Sequence, residues 1–254
     1  MKIALALSGG GARCLAQLGY IEILQERLGI EIAVLSGSSG GAIATAFLAA
    51  GYTSSEILAI LQKFPFHKIR FNIHRGTLFC HERLYGELRT LGITTFEACK
   101  IPIFITLTDY ENSRTHYVHS GDLARAVLAS SALLPLFCPI EFEGRHYIDG
   151  GITDNLPLSP LRDQPYFKVA INVNPPDVSR FGRGFLGNYK RACYMMLNAN
   201  IAASIPLADH YVVIEGCQKF GILERRSFAT IYELGKRRAL EDIKVWEELC
   251  SKNS

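Results

Sequence analysis

Within its first fifty residues the chain twice repeats one order: a short apolar run, a glycine-rich break, then a helical segment. The first unit is Ile3 to Leu7, then Ser8-Gly9-Gly10-Gly11-Ala12-Arg13, then Cys14, Leu18, Ile21, Leu24 and Leu28 at helical spacing. Glu22, Gln25 and Glu26 take the other side of that helix. The second unit starts at Ile32-Ala33-Val34-Leu35 and breaks into Ser36-Gly37-Ser38-Ser39-Gly40-Gly41-Ala42. It continues as the small, apolar segment Ile43 to Ala50. Apolar runs this short and continuous suit strands buried on both faces. Alternation of strand and helix then leaves few architectures, all in the α/β class with right-handed crossovers and a mainly parallel central sheet.

The rest of the chain extends this plan. Thr53-Ser54-Ser55-Glu56 is a capping box ahead of Ile57, Leu58, Ile60 and Leu61. Residues 64 to 80 are aromatic and irregular, and read as an ordered excursion that covers a pocket; Leu84, Leu88 and Leu91 predict a helix after it. Pro102 to Asp109 is a strong strand with Thr115 to His119 pairing beside it, and Ser120-Gly121-Asp122 caps a helix through Leu128. Glu141 to Ile148 reads as a tight hairpin turning at Gly144 and leading into Asp149-Gly150-Gly151. Strands are expected at Lys168 to Val173 and Tyr211 to Ile214, and a helix at Tyr189 to Ala203. Phe228, Tyr232, Ala239, Ile243, Trp246 and Cys250 form one stripe of a long C-terminal helix. No linker or repeat interrupts the sequence. Residues 1–254 are expected to form a single domain, with a motif-bearing core at about 3–175 and C-terminal helices 189–250 packed on it.

Composition narrows the function classes. A hydrophobic content of 48% with 20% charged residues supports a substantial core, and a net charge of +3 is too small to argue for nucleic acid. The seven cysteines are scattered, with no C-x-x-C pair for zinc or redox chemistry, which fits a reducing compartment. The apolar run at the N-terminus stops at Ser8, short of a signal peptide core, and no segment approaches a membrane span. The expected location is the cytoplasm, with peripheral contact at a membrane surface compatible with it.

Gly37, Ser39 and Gly41 form Gly-x-Ser-x-Gly in the strand–turn–helix context where the serine becomes a nucleophile. At a helix N-terminus, free N–H groups and the helix dipole favour a developing anion. Gly9-Gly10-Gly11 can turn successive amides toward one point and serve as an oxyanion hole. A dinucleotide fingerprint starting at Gly9 would need glycine or alanine where Cys14 stands, and the Gly-Lys-Ser/Thr of a P-loop is absent. The base has two candidates. One is Asp149, whose glycines let another segment approach its carboxylate, although Asp-Gly also suits an ordinary tight turn. The other is a triad with Asp149 as acid and His210 as base. His67, His74, His81, His116, His119 and His146 show no ligand spacing. Arg13 either attracts a phosphate head group or stands solvated on the first helical turn.

Taken together, the motifs resemble those of the patatin-like phospholipases, serine lipid acyl hydrolases with a Ser–Asp dyad. Gly9-Gly10-Gly11-Ala12-Arg13 resembles their oxyanion loop, and Gly37-Ser38-Ser39-Gly40-Gly41 their nucleophile elbow. Ala129-Ser130-Ser131-Ala132 through Pro135 resembles the segment before the acid. Tyr147-Ile148-Asp149-Gly150-Gly151 with Asn155-Leu156-Pro157 resembles the Asp-Gly-Gly block, and Asp109 takes the place of a common Thr-Asp. Ser38 and Gly40 depart from the more usual threonine and alanine. The resemblance implies a patatin-like three-layer α/β/α sandwich and cleavage of phospholipid or other acyl-ester lipid through an acyl-enzyme. In that scheme Ser39 is nucleophile, Asp149 base, and Gly9, Gly10 and Gly11 the oxyanion hole, with no cofactor and no metal. Acyltransferases in the family, and a silent lipid-binding protein on the same scaffold, are the alternatives.

Overall fold

A computed structural model describes residues 1–71, 76–176 and 184–252. The opening alternation is built as β1 (Lys2–Leu7), α1 (Leu15–Leu28), β2 (Glu31–Ser38) and α2 (Gly40–Ala50). α3 (Ser54–Lys63) follows, and its capping box is closed on both sides: Thr53 accepts from the Glu56 amide while Glu56 accepts from the Thr53 amide. The aromatic excursion holds a short ladder of β3 (Arg70–Phe71) against β4 (Phe79–Cys80), and then α4 (Leu84–Thr90). His74 and its neighbours in 72–75 lie outside the described residues.

β5 (Ile103–Asp109) and β6 (Thr115–Val118) pair antiparallel, and α5 (Leu123–Ser130) starts at Asp122, whose side chain accepts from the Arg125 amide. The hairpin of β7 (Ile140–Phe142) and β8 (Arg145–Asp149) turns through Glu143-Gly144. β9 (Phe167–Asn172), α6 (Phe185–Ser204) and β10 (His210–Val213) complete the sheet. Among the described residues its order is β10-β9-β1-β2-β5-β8-β7, with β6 also on β5. The five strands from β10 to β5 run parallel, and the β5–β6, β5–β8 and β8–β7 pairings are antiparallel.

Alternation along β1 divides the core. Ile3, Leu5 and Leu7 face the main cluster with α1 and α2, while Ala4 and Ala6 face a smaller one with Leu156, Leu158, Leu161 and Ile201 of α6. Helices therefore cover both faces, as a three-layer α/β/α arrangement requires.

The expected single C-terminal helix is two: α7 (Phe228–Glu241) and α8 (Ile243–Lys252). The break falls at Asp242, whose carboxylate is held by Tyr20 Oη at 3.0 Å and Arg238 Nε at 2.9 Å. Trp246 is fully buried beyond it and donates its indole N–H to Tyr20 Oη at 2.7 Å. Tertiary hydrogen bonds at this point outweigh the continuous apolar stripe.

The register of β5 fixes the rest of the molecule's business end. β2 pairs with Ile103–Thr106, β8 with Leu107–Asp109, and β6 with Ile105–Thr108. Because β6 overlaps both of the others, β2 and β8 share the opposite edge of β5 end to end. β2 runs up to Ser38 opposite Thr106, and β8 runs down to Asp149 opposite Leu107. The two strands meet head to head, one from residue 38 and one from residue 149.

Candidate active site

At that junction β2 can go no further in the sheet plane. Ser39 turns the chain sharply into α2 with φ 53° and ψ −123°. A left-handed φ is uncommon for a side chain with a Cβ and persists only where the surroundings enforce it. Here the Ser39 amide donates to Ser130 Oγ at 2.9 Å, and Ser130 Oγ donates to the Thr106 carbonyl at 2.8 Å. The hydroxyl at the end of α5 thus ties the elbow to β5.

On the other side Asp149 is clamped through its backbone. Its amide donates to the Ala132 carbonyl at 3.1 Å, and its carbonyl accepts from Thr108 Oγ1 at 2.9 Å. Gly150 then crosses directly over β5, where a Cβ would lie 2.0 Å from the Thr106 carbonyl oxygen. The glycine after the acid is a close-approach requirement.

These constraints bring the two side chains together. Ser39 Oγ donates to Asp149 Oδ2 at 2.6 Å, and Asp149 Oδ1 accepts from the Gly151 amide at 2.8 Å. Ser39 is partly accessible, whereas Asp149 is only 3% exposed. Burial raises the Asp149 pKa to about 6, against the lowering effect of its bonds from Ser39 and Gly151. Such a carboxylate is ionised at neutral pH yet basic enough to take a proton.

His210 sits elsewhere. It opens β10 opposite Val169, in the same cross-sheet row as Leu5 and Leu35. Ser39 lies four residues beyond that row and three strands across, on the order of 20 Å away. The His210 ring packs edge-on against Trp246. Among the described residues no imidazole hydrogen-bonds to Ser39 or Asp149.

The glycine loop departs from expectation at two residues. The Gly9 amide is already taken, donating to the Asn155 carbonyl at 3.0 Å, so Gly9 is corrected from oxyanion donor to a fixed point of the loop. Among the described residues no acceptor takes the amides of Gly10 and Gly11. Arg13 is corrected as well. It is 5% exposed, with Nε donating to the Phe220 carbonyl at 2.9 Å and Nη1 to Asn174 Oδ1 at 3.3 Å. It is neither solvated nor presented to a head group. The unusual Gly40 also finds its reason: a Cβ there would stand 2.7 Å from the Gly11 carbonyl oxygen and 2.8 Å from its amide nitrogen. Elbow and glycine loop are in contact, backbone to backbone.

Sequence reasoning missed Ser130 and Asn155 as builders of the site, although both lie inside segments it had singled out. Asn174 was missed outright; two carboxamides, Asn172 and Asn174, at the end of a buried strand were the available signal. Among the described residues no group of three or more His, Cys, Asp or Glu is placed to hold a metal, and no helix is long and apolar enough to cross a membrane.

Comparison with known proteins follows the same residues. The sequence pattern of the Patatin-like phospholipase family matches residues 5–162. An uncharacterized NTE family protein of Mycobacterium tuberculosis is 32% identical over 178 residues, covering 68% of this chain and 49% of the relative. Lysophospholipase NTE1 of Scheffersomyces stipitis is 29% identical over 186 residues, covering 69% of this chain and 12% of the relative. This chain therefore spans about half the length, or less, of these relatives. Among solved structures, VipD from Legionella pneumophila superposes with a TM-score of 0.54 at 14% identity, covering 94% of this chain and 66% of that one. That likeness is one of fold.

Proposed function

Since the chain belongs to the patatin-like phospholipase family, we propose that it is a lipid acyl hydrolase that cleaves carboxylic esters with Ser39 as nucleophile and Asp149 as base. The observation that carries this reading is the 2.6 Å hydrogen bond from Ser39 Oγ to a buried carboxylate whose pKa is raised to about 6. The substrate class, a phospholipid or lysophospholipid, is supported by the lysophospholipase relatives. Peripheral contact with a lipid surface follows from such a substrate.

In the first step Asp149 takes the Ser39 proton as Oγ attacks the ester carbonyl. The carbonyl oxygen becomes an oxyanion received by the Gly10 and Gly11 amides, with the N-terminal end of α2 adding its dipole. As the tetrahedral intermediate collapses, the alcohol portion of the lipid leaves with the proton from Asp149. Water then gives a proton to Asp149 and attacks the acyl-enzyme. The second collapse releases the fatty acid and returns the proton to Ser39. One carboxylate serves both halves, and no imidazole enters.

Ser39→Ala and Asp149→Asn test the assignment. Each is expected to cut hydrolysis of a p-nitrophenyl acyl ester by about 10²-fold or more while leaving the fold intact, with Ser39→Ala also abolishing fluorophosphonate labelling. Wild-type turnover by either variant would remove the dyad. A wild-type protein that binds lipid vesicles and resists the fluorophosphonate would favour the silent lipid-binding reading instead.

A further inference from the structure

Gly9 and Gly10 share one peptide unit, and in a trans peptide the carbonyl and the N–H point in opposite directions. Whatever grips the Gly9 carbonyl therefore aims the Gly10 amide. Nothing within the loop itself does so, because a run of glycines lets that peptide rotate without meeting a Cβ.

The grip comes from two buried carboxamides. Asn174 Nδ2 donates to the Gly9 carbonyl at 2.6 Å, and Asn155 Nδ2 does so at 3.4 Å. Asn174 and Asn155 are 2% and 3% exposed, so no bulk water competes for that carbonyl. A carboxamide can hold a carbonyl only with its NH₂ end, and Asn174 is kept from flipping. Arg13 Nη1 donates to its Oδ1 at 3.3 Å, and Asn172 Oδ1 accepts from the Asn174 amide at 2.9 Å and from its Nδ2 at 3.4 Å. A flipped Asn174 would set its NH₂ against the guanidinium and its oxygen against the Gly9 oxygen, two repulsive contacts replacing two attractive ones. Arg13 is braced in turn by the Phe220 carbonyl.

We propose that Asn174, oriented by Arg13 and assisted by Asn155, is a positioning residue that aims the Gly10 amide at the oxyanion. The proposal rests on the dyad reading of the site. It gives the arginine after the glycine triplet a task that its burial permits: setting a side chain that sets a peptide.

Asn174→Asp keeps the shape and the Arg13 partner but turns a donor into a carboxylate facing the Gly9 oxygen. Asn174→Leu keeps about the volume and offers no donor. For each variant, kcat and the rate of fluorophosphonate labelling at Ser39 are expected to fall by about 10²–10³, the usual cost of one oxyanion donor. KM should stay within about twofold, and affinity for an alkyl trifluoromethyl ketone, which forms a tetrahedral oxyanion on the serine, should fall with kcat. The acidic limb of the pH profile, set by Asp149, should not move. Wild-type kcat in a folded variant, or a loss confined to KM, would overturn the proposal. If neither variant folds, a crystal structure of the wild-type protein with the ketone decides. The ketone oxygen on the Gly10 amide, with Gly9 still on Asn174, supports the proposal; an oxygen bound away from Gly10 overturns it. The crystal structure of Asn174→Asp is read independently of activity. A rotated Gly9–Gly10 peptide supports the lock even if Ser39 proves unreactive, and an unrotated one sinks it.

Discussion

Asp109 and Asp149 stand on one two-stranded ladder, Asp109 opposite Tyr147 and Asp149 opposite Leu107, and each leads a tight turn. Their surroundings differ in one respect that decides their chemistry. Asp109 accepts from the Glu111 amide at 3.0 Å, the Asn112 amide at 2.8 Å and Asn112 Nδ2 at 3.0 Å, with Arg145 Nη1 at 3.5 Å. Hydrogen bonds from Asn112, side chain first, hold its pKa below the ordinary carboxylate value. Asp149 receives the Ser39 hydroxyl and the Gly151 amide, and burial pushes its pKa up to about 6. Buried with two donors, Asp149 keeps a raised pKa that suits the proposed role of base; ringed by four, Asp109 is held as a turn cap.

The widest gap should appear in turnover. Asp149→Asn is expected to lower kcat/KM by about 10²–10⁴, whereas Asp109→Asn and His210→Ala remain within about threefold of wild type. A comparable loss in His210→Ala would replace the dyad with a triad. Next comes pH. In the proposed dyad Asp149 works as the anion, so kcat/KM should fall about tenfold per unit below a pKa of about 6 and level off above it. A profile flat to pH 4.5 would refute an aspartate base of that strength.

The smallest effect, and the sharpest comparison, is in stability. A raised folded pKa means that the contribution of Asp149 is full below its ordinary pKa near 4 and is lost as pH rises through about 6. Replacing it with asparagine should therefore stabilise the protein above pH 6, by up to about 3 kcal/mol. Asp109 has the opposite sign, its contribution present above the ordinary pKa and lost as pH falls through the depressed one. Asp109→Asn should lower the melting midpoint at pH 7 and converge on wild type only as pH falls from 7 through that depressed value. Parallel melting curves for the two variants across that range would erase the distinction.

Much of this arrangement is legible before any coordinates. The two βα units, the elbow at Ser39 and the hairpin ending at Asp149 all have local signals: glycine breaks, apolar runs, turn residues. What stayed hidden depends on partners far along the chain. Arg13 has no local mark of burial, because its acceptors are Phe220 and Asn174. The loss of the Gly9 amide depends on the Asn155 carbonyl, 146 positions away along the same chain. The C-terminal stripe is unbroken as a pattern, and only the Tyr20–Asp242–Trp246 contacts explain why the helix stops at 241. The nearness of residues 39 and 149 is likewise silent in their own motifs.

That nearness is stored in β5. Thr106 faces the end of one strand and Leu107 the end of the other, so one covalent step in β5 separates the halves of the machinery. A single residue inserted between them would push the strand ends apart by about 3.3 Å and reverse the facing of one half, with both motifs still perfect as text. Anyone transplanting this chemistry to another scaffold must carry that measuring strand along with the serine and the acid. A relative with both motifs and a lengthened β5 would be a lookalike without a working pair.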